Sequence, residues 1–206
     1  MKLLLISLLP TTENFGVKYI HAYLQQHGHQ SAILFVPRHD PAIHKPLREF
    51  VDTYRPDLIG CGLMSYEAPF AASIGKLLKE SQPHIPFLAG GIHPTVAPEE
   101  CLDYADMVAL GESEETILEM AKYLDAGIDL KAINNLVFKH NGDTVKNPLR
   151  PLIEDLDNIP FPGHFPAHSY VYHQNSILLM DLRLFRKYTR YDGKAYNIIS
   201  SRGCPF

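Results

Sequence analysis

Cysteine is scarce in this sequence, which has three among 206 residues: Cys61, Cys101 and Cys204. An odd and sparse set is unlike the even, closely spaced cysteines of a small secreted disulfide framework. It favours a reducing compartment instead, and we expect a cytoplasmic protein with free thiols.

Long apolar runs are also lacking, since none approaches the ~20 residues that a membrane span needs. The run from Leu3 to Leu9 resembles a minimal signal peptide, but it is short for that role and no small-x-small cleavage site follows it. A buried parallel strand explains the same residues better, because such strands are apolar on both faces. The formal net charge of −4 favours neither nucleic acid nor an anionic membrane as a partner.

Short apolar segments alternate with helical patterns along the first 127 residues. Val17, Ile20 and Leu24, for example, follow the first segment at helical spacing. The repetition predicts an α/β fold: a Rossmann-like (flavodoxin-like), doubly wound sheet of five parallel strands with helices on both faces. The predicted strands cover residues 2–8, 31–36, 57–62, 86–89 and 107–110.

The pattern changes after Gly127. Asn141 and Gly142 separate two short strand-like stretches, which is a strong β-hairpin signal. Five prolines follow between residues 148 and 166, a composition typical of an extended connector on a surface. A further strand is predicted over residues 196–200, and because it has no evident neighbours we expect the tail from Phe165 onward to pack poorly.

Candidate binding residues lie in the loops that follow the predicted strands. Ligands of doubly wound sheets bind beyond the carboxyl ends of the strands, near the point where the strand order reverses. The candidates in these loops are Thr12, Asn14, Phe15, Gly16, Ser65, Tyr66, Gly90, Gly91, His93, Pro94, Gly111 and Glu112.

Each of these loops also has a purely structural interpretation. Gly90 and Gly91 allow a close backbone approach and a positive φ, which a ligand site and a tight turn need equally. Glu112 either touches a ligand or complements a helix dipole, and Ser65 either donates to a ligand or caps the next helix. His93 is by default a hydrogen-bonding loop residue.

Together, these segments resemble the N-terminal half of cobalamin-binding radical S-adenosylmethionine (SAM) proteins. The resemblance rests on Gly90-Gly91-Ile92-His93-Pro94-Thr95, Pro98-Glu99-Glu100, Asp106-Met107-Val108 and Gly111-Glu112-Ser113-Glu114. It continues in the stretch from Leu156 to Pro162, which is similar to the linker of that family. It implies a cobalamin-binding module, with the candidate loop residues in contact with the cofactor.

The last residues, Ser201-Arg202-Gly203-Cys204-Pro205-Phe206, resemble the start of the family's Cys-x-x-x-Cys-x-x-Cys motif. The resemblance implies that Cys204 is the first ligand of a [4Fe–4S] cluster, which thiolates hold. The full-length protein would then also use S-adenosylmethionine, for methyl transfer or for a radical rearrangement or cyclisation. The remaining cysteines and the radical SAM barrel, the partner of this module, would lie beyond Phe206.

The resemblance divides the chain into three parts. We expect a cobalamin-binding α/β domain over residues 1–127, a β-hairpin and Pro-rich linker over 128–168, and a further linker with the start of a truncated barrel over 169–206. On this division the fragment alone would lack the catalytic barrel.

One departure concerns the cobalt ligand. Many other cobalamin domains carry Asp-x-His-x-x-Gly, whose histidine binds cobalt, whereas Glu13-Asn14-Phe15-Gly16 occupies the corresponding place here. This substitution resembles the radical SAM branch, in which the lower ligand is often absent or different.

Two other classes of function stay open at this point. A cofactor-free structural or protein-interaction domain with the same fold predicts a binding mouth that side chains close. A receiver or flavodoxin is the third possibility, but Gly60-Cys61-Gly62 stands where a receiver has its phosphoacceptor Asp. Glu13 would repel the phosphate of a flavin after the first strand.

Overall fold

The computed structural model describes residues 1–195, 197–199 and 201–202 of the chain. Its helices are α1 (Phe15–Gln26), α2 (His44–Tyr54), α3 (Ala68–Ser81), α4 (Ile92–Val96), α5 (Pro98–Cys101), α6 (Glu114–Ala126) and α7 (Leu182–Tyr188). Its strands are β1 (Lys2–Ser7), β2 (Gln30–Phe35), β3 (Leu58–Gly62), β4 (Phe87–Gly90), β5 (Met107–Ala109), β6 (Leu136–His140), β7 (Asp143–Lys146), β8 (Ser169–His173) and β9 (Ser176–Leu179).

The described strands form one sheet in the order β7-β6-β5-β4-β3-β1-β2-β8-β9. Strands β1 to β5 pair in parallel and β8 pairs in parallel with β2. The pairs β5–β6, β6–β7 and β8–β9 are antiparallel. The order reverses between β1 and β3, so the switch point lies at their carboxyl ends.

Alternating side chains of β1 separate two hydrophobic layers. Leu4 and Ile6 pack with the layer that includes α2 and α3, whereas Leu3 and Leu5 pack with the layer that includes α1 and α6. Both sets are fully or almost fully buried. The doubly wound architecture is therefore confirmed, with an apolar layer on each face of the parallel strands.

The predicted number of strands is wrong, because the sheet is larger than five strands. The hairpin β6–β7 continues it beyond β5, and its turn at Asn141 and Gly142 has a positive φ at both residues, as predicted for this pair. At the opposite edge, β8 and β9 continue it beyond β2.

The expectation of a poorly packed tail is also wrong for the residues that form β8, β9 and α7. Val171 is fully buried beside β2, and Phe185 of α7 is buried in the same layer as α1. The sequence pattern did not show this because β8 covers the edge of β2, a strand that lies far away in sequence. Of the strand predicted over residues 196–200, residues 197–199 are not in a strand, and Tyr196 and Ser200 lie outside the described residues.

None of the described helices is both long enough and apolar enough to cross a membrane.

Candidate functional site

A cavity of about 330 Å³ opens at the carboxyl ends of the central strands, on the side of the sheet that α1 and α6 cover. Its deep wall is apolar, with Leu5, Leu88, Ala109 and Ile117. Loops that follow β1, β3, β4 and β5 form its mouth. These loops contribute Asn14, Phe15, Gly16, Leu63, Met64, Gly90, Gly91, Ile92, Gly111, Glu112 and Ser113.

Gly91 is required by the geometry of this mouth. Its φ is +104°, and a Cβ built on it would lie 2.8 Å from the carbonyl oxygen of Leu63. A side chain at this position would therefore be strained and would collide with the loop after β3. Gly90 differs, because a Cβ there would meet nothing closer than Ala109, at 4.0 Å. Its missing side chain leaves room inside the cavity.

The loop after β1 and the first turn of α1 contribute three of the predicted residues to the cavity: Asn14, Phe15 and Gly16. Asn14 also begins α1, because its Oδ1 accepts a hydrogen bond from the backbone N–H of Val17 at 3.3 Å. Its Nδ2 donates to Ser7 Oγ at 3.1 Å. These two bonds hold the loop against the end of β1.

Thr12 and Glu13, in the same loop, stabilise the fold and do not line the cavity. Thr12 is fully buried outside the cavity lining, and its backbone N–H donates to the carbonyl of Tyr188 at 3.0 Å. Glu13 Oε1 accepts 2.7 Å hydrogen bonds from Thr189 Oγ1 and from the backbone N–H of Arg190. The loop after β1 is thereby tied to the end of α7.

Glu13 and Lys18 have opposite charges in this partly buried region. Burial acts to raise the pKa of Glu13, but hydrogen bonds from Thr11, Arg190 and Thr189 together outweigh it, so the pKa is lowered. Burial lowers the pKa of Lys18 to about 8, against the charge of Glu13. Lys18 Nζ donates to the backbone carbonyl of His164 at 3.2 Å, which holds the segment around His164 against α1.

Four further predicted residues lie outside the cavity lining. Ser65 and Tyr66 are exposed in the turn before α3. Ser65 does not cap this helix, because Glu67 occupies its N-cap position. His93 and Pro94 are buried in α4, where His93 Nε2 lies 3.9 Å from a carboxylate oxygen of Glu100. The short helix turns these two side chains into the protein and away from the cavity.

Gly111 and Glu112 line the cavity as the sequence suggested. Glu112 Oε2 accepts a hydrogen bond from the backbone N–H of Ile153 at 2.8 Å, and its Oε1 lies 3.5 Å from Arg202 Nη1. Ser113 takes the N-cap position of α6, but its hydroxyl donates to the carbonyl of Gly111 instead of capping the helix.

Three charged cavity residues were missed by sequence reasoning: Glu67, Glu114 and Arg202. Arg202 Nη2 lies 2.6 Å from Glu114 Oε1, and its guanidinium is 4.9 Å from the centre of the Tyr19 ring. The pairing of Arg202 with Glu114 had no local signal, because 88 positions separate the two residues along the chain. Cys204 lies outside the described residues.

Residues 1–121 match the family model of the B12 binding domain. This chain belongs to the B12-binding domain family. The expectation of a cobalamin-binding module is thereby confirmed for the α/β part of the chain.

Relatives of this B12-binding chain include a methyltransferase and a cyclase. An uncharacterized methyltransferase of Pyrococcus horikoshii is 32% identical over 165 residues, covering 78% of this chain and 32% of the relative. An anaerobic magnesium-protoporphyrin IX monomethyl ester cyclase of Rubrivivax gelatinosus is 29% identical over 164 residues, covering 76% and 30%. The chain thus spans about a third of the length of these relatives.

Solved structures with the same fold include two radical SAM enzymes. The cobalamin-dependent enzyme OxsB, with aqua-cobalamin and S-adenosylmethionine bound, superposes with a TM-score of 0.66 at 17% identity. That match covers 78% of this chain and 24% of OxsB. The methyltransferase TsrM of Kitasatospora setae has a TM-score of 0.64 at 17% identity, covering 71% of this chain and 30% of TsrM.

The cavity fits the chemistry of cobalamin, which combines a flat corrin with a nucleotide tail. The apolar deep wall suits an aromatic base. Because residue 90 is glycine, the part of the cavity that a larger side chain would occupy is free for the cofactor. Exposed Ile92 and Met64 border the mouth and offer apolar surface to a ring outside it. No histidine is among the described residues that line this cavity.

Proposed function

We propose that this chain is the cobalamin-binding module of a larger radical SAM enzyme. The observation that supports this most directly is the open, glycine-bordered cavity at the switch point of a domain whose first 121 residues match the B12-binding family. A cofactor-free interaction domain would have its mouth closed by side chains, whereas Gly90, Gly91 and Gly111 leave it open.

The proposal gives the cavity residues separate tasks. Leu5, Leu88 and Ala109 would hold the nucleotide tail by apolar contact, while Gly90 and Gly91 let it pass close to the backbone. When bound, cobalamin supplies a cobalt centre that carries a methyl group or takes part in radical chemistry. The domain would bind and orient it.

The remaining parts of the proposal concern the whole protein. We propose that residues 128–168 are the linker, that residues 169–206 lead into a radical SAM barrel, and that Cys204 is the first ligand of its [4Fe–4S] cluster. The presence of S-adenosylmethionine in the relative OxsB supports this reading. A cytoplasmic location is proposed because the buried thiols of Cys61 and Cys101 are unpaired.

The test is a titration of the purified chain with hydroxocobalamin, followed by visible absorbance and by calorimetry. We expect saturable binding of one molecule per chain. Gly90→Leu should abolish or strongly weaken binding, because the leucine side chain occupies the cavity. The variant should still fold, since a Cβ at this position meets no atom closer than 4.0 Å.

The matched control is Gly163→Leu. Gly163 is exposed in the linker outside the cavity lining, and a Cβ there makes only ordinary contacts. Its binding should equal that of the unmodified chain. If the folded, unmodified chain binds no cobalamin at high micromolar concentration, the proposal is wrong. Equal binding by Gly90→Leu would mean that the cofactor binds outside this cavity.

A further inference from the structure

Glu67 is the buried charged residue of the cavity that no described group fully satisfies. The residue is 0% exposed and lines the cavity at the turn between β3 and α3. Its Oε2 accepts a hydrogen bond from the backbone N–H of Met64 at 2.7 Å, and its own backbone N–H donates to the Met64 carbonyl at 3.0 Å. Within the described residues, Oε1 has no hydrogen-bond partner.

Local structure explains the position of only one of the two carboxylate oxygens of Glu67. The bond to Met64 stabilises the turn before α3, and one oxygen is enough for it. The second oxygen is then buried without a donor, which is costly because a carboxylate out of water needs hydrogen bonds at both oxygens. The other two carboxylates of the cavity differ, since Glu112 and Glu114 both pair with Arg202.

Among the described residues, no cation forms an ion pair with Glu67. Cys61 lines the cavity beside it, and burial, followed by the charge of Glu67, raises the pKa of that thiol. Burial, followed by the interaction with the same carboxylate, raises the pKa of Tyr66, an exposed residue whose hydroxyl makes no hydrogen bond of ordinary geometry to Oε1. The neighbours thus respond to the charge without neutralising it.

We infer that Glu67 Oε1 accepts a hydrogen bond from an N–H or O–H donor of the bound cofactor, and that it helps select a donor-bearing ligand. This inference rests on the proposed function. Cobalamin offers such donors in two places: the carboxamides around the corrin and the ribose hydroxyl of the nucleotide tail. A phosphate oxygen has no proton to donate and would be repelled.

The experiment compares Glu67→Gln with the unmodified chain in binding of hydroxocobalamin and of cobinamide, which has the corrin carboxamides but no nucleotide tail. In the variant, one oxygen continues to accept from Met64, so the amide group presents a donor where Oε1 was an acceptor. We expect the dissociation constant for hydroxocobalamin to rise about 10- to 100-fold. The control is Glu80→Gln, an equal charge change on the exposed part of α3, which should bind normally.

The two ligands identify the donor. An equal loss with cobinamide assigns the bond to a corrin carboxamide, whereas a loss confined to hydroxocobalamin assigns it to the tail. Glu67→Met removes the buried charge at similar volume; it should fold, as judged by thermal unfolding, and should bind as weakly as Glu67→Gln.

Unchanged affinity of the folded Glu67→Gln and Glu67→Met variants would overturn this inference and leave the proposed function intact. Failure of the unmodified chain to bind hydroxocobalamin would overturn both.

Discussion

At the scale of single residues, two glycines with a positive φ differ in whether a side chain would also collide with neighbouring atoms. Gly91 combines a φ of +104° with a clash against Leu63, whereas Gly142, in the hairpin turn, has a φ of +91° and open space around its Cβ position. Gly91 is required by the neighbouring loop after β3, whereas Gly142 is required only by its own turn. Replacing each by alanine therefore measures different costs.

We expect Gly91→Ala to lower the free energy of unfolding by about 2–4 kcal/mol, because strain and overlap add. Gly142→Ala should cost only about 1 kcal/mol, since only the strain applies. Urea unfolding of both variants measures the difference. Equal losses would mean that the loop after β3 moves aside freely and that the close approach at Gly91 is not structural.

His21 gives a pH dependence at the same scale. Burial, with a contribution from His168, lowers the pKa of His21 to about 4, and its Nδ1 is 2.8 Å from Ser31 Oγ. The unfolded chain binds this proton near pH 6.5 and the folded chain only near pH 4. Its stabilisation is therefore complete above pH 6.5 and is lost as the pH falls towards 4.

We expect up to about 3 kcal/mol of acid destabilisation from this one group. The measurement is urea unfolding at several pH values between 4 and 7, for the unmodified chain and for His21→Leu. The variant should show a shallower pH dependence, and parallel curves would contradict the assignment to His21.

At the scale of elements, the loop after β1 connects α1 with the C-terminal segment. Glu13 receives two hydrogen bonds from the end of α7, and Lys18 donates to the backbone carbonyl of His164. Asn14 of this loop lines the cavity, together with Phe15 and Gly16 of the first turn of α1. Docking of the C-terminal segment and the shape of the cavity are thus coupled through one short loop.

Glu13→Gln should weaken this docking by about 1–2 kcal/mol, because neutral acceptors hold N–H and O–H donors less strongly than a carboxylate does. The expected result is faster hydrogen exchange of the α7 amides, with little change in β1 to β5. Thr189→Val removes one of the two bonds and should produce a smaller effect. Unchanged exchange in α7 for both variants would show that the apolar contacts of Phe185 alone hold the helix.

At the scale of the whole molecule, the outer strands protect the parallel sheet. The strands β8 and β9 cover the β2 edge, and β6 and β7 cover the β5 edge. Uncovered edges of parallel sheets present unpaired N–H and C=O groups to other chains. The segment that forms β8, β9 and α7 is therefore part of the folded domain.

Ending the chain at residue 165 should expose the β2 edge and remove the buried side chains of Val171 and Phe185. We expect a lower thermal midpoint and self-association, measured by light scattering after size-exclusion chromatography. A chain that ends at residue 202 keeps β8, β9, α7 and the ion pairs of Arg202 with Glu112 and Glu114, and should stay as stable as the unmodified one. A stable monomer ending at residue 165 would show that the edge is protected in another way.

The sequence alone determined the repeating architecture, the positions of β1 to β7 to within a residue or two, and most of the loops that border the cavity. These features follow from local patterns: apolar runs, helical spacing, and glycines at strand ends. Seven of the twelve candidate residues, among them Gly90, Gly91 and Glu112, line the cavity for that reason.

Only the tertiary structure decided the rest. It turned His93 into the protein, brought Arg202 to Glu112 and Glu114, and buried Glu67 with one unpaired oxygen. It also joined β8 to β2, two strands separated by more than 130 positions. Contacts between distant segments depend on how the layers pack, and no local spacing along the chain encodes them.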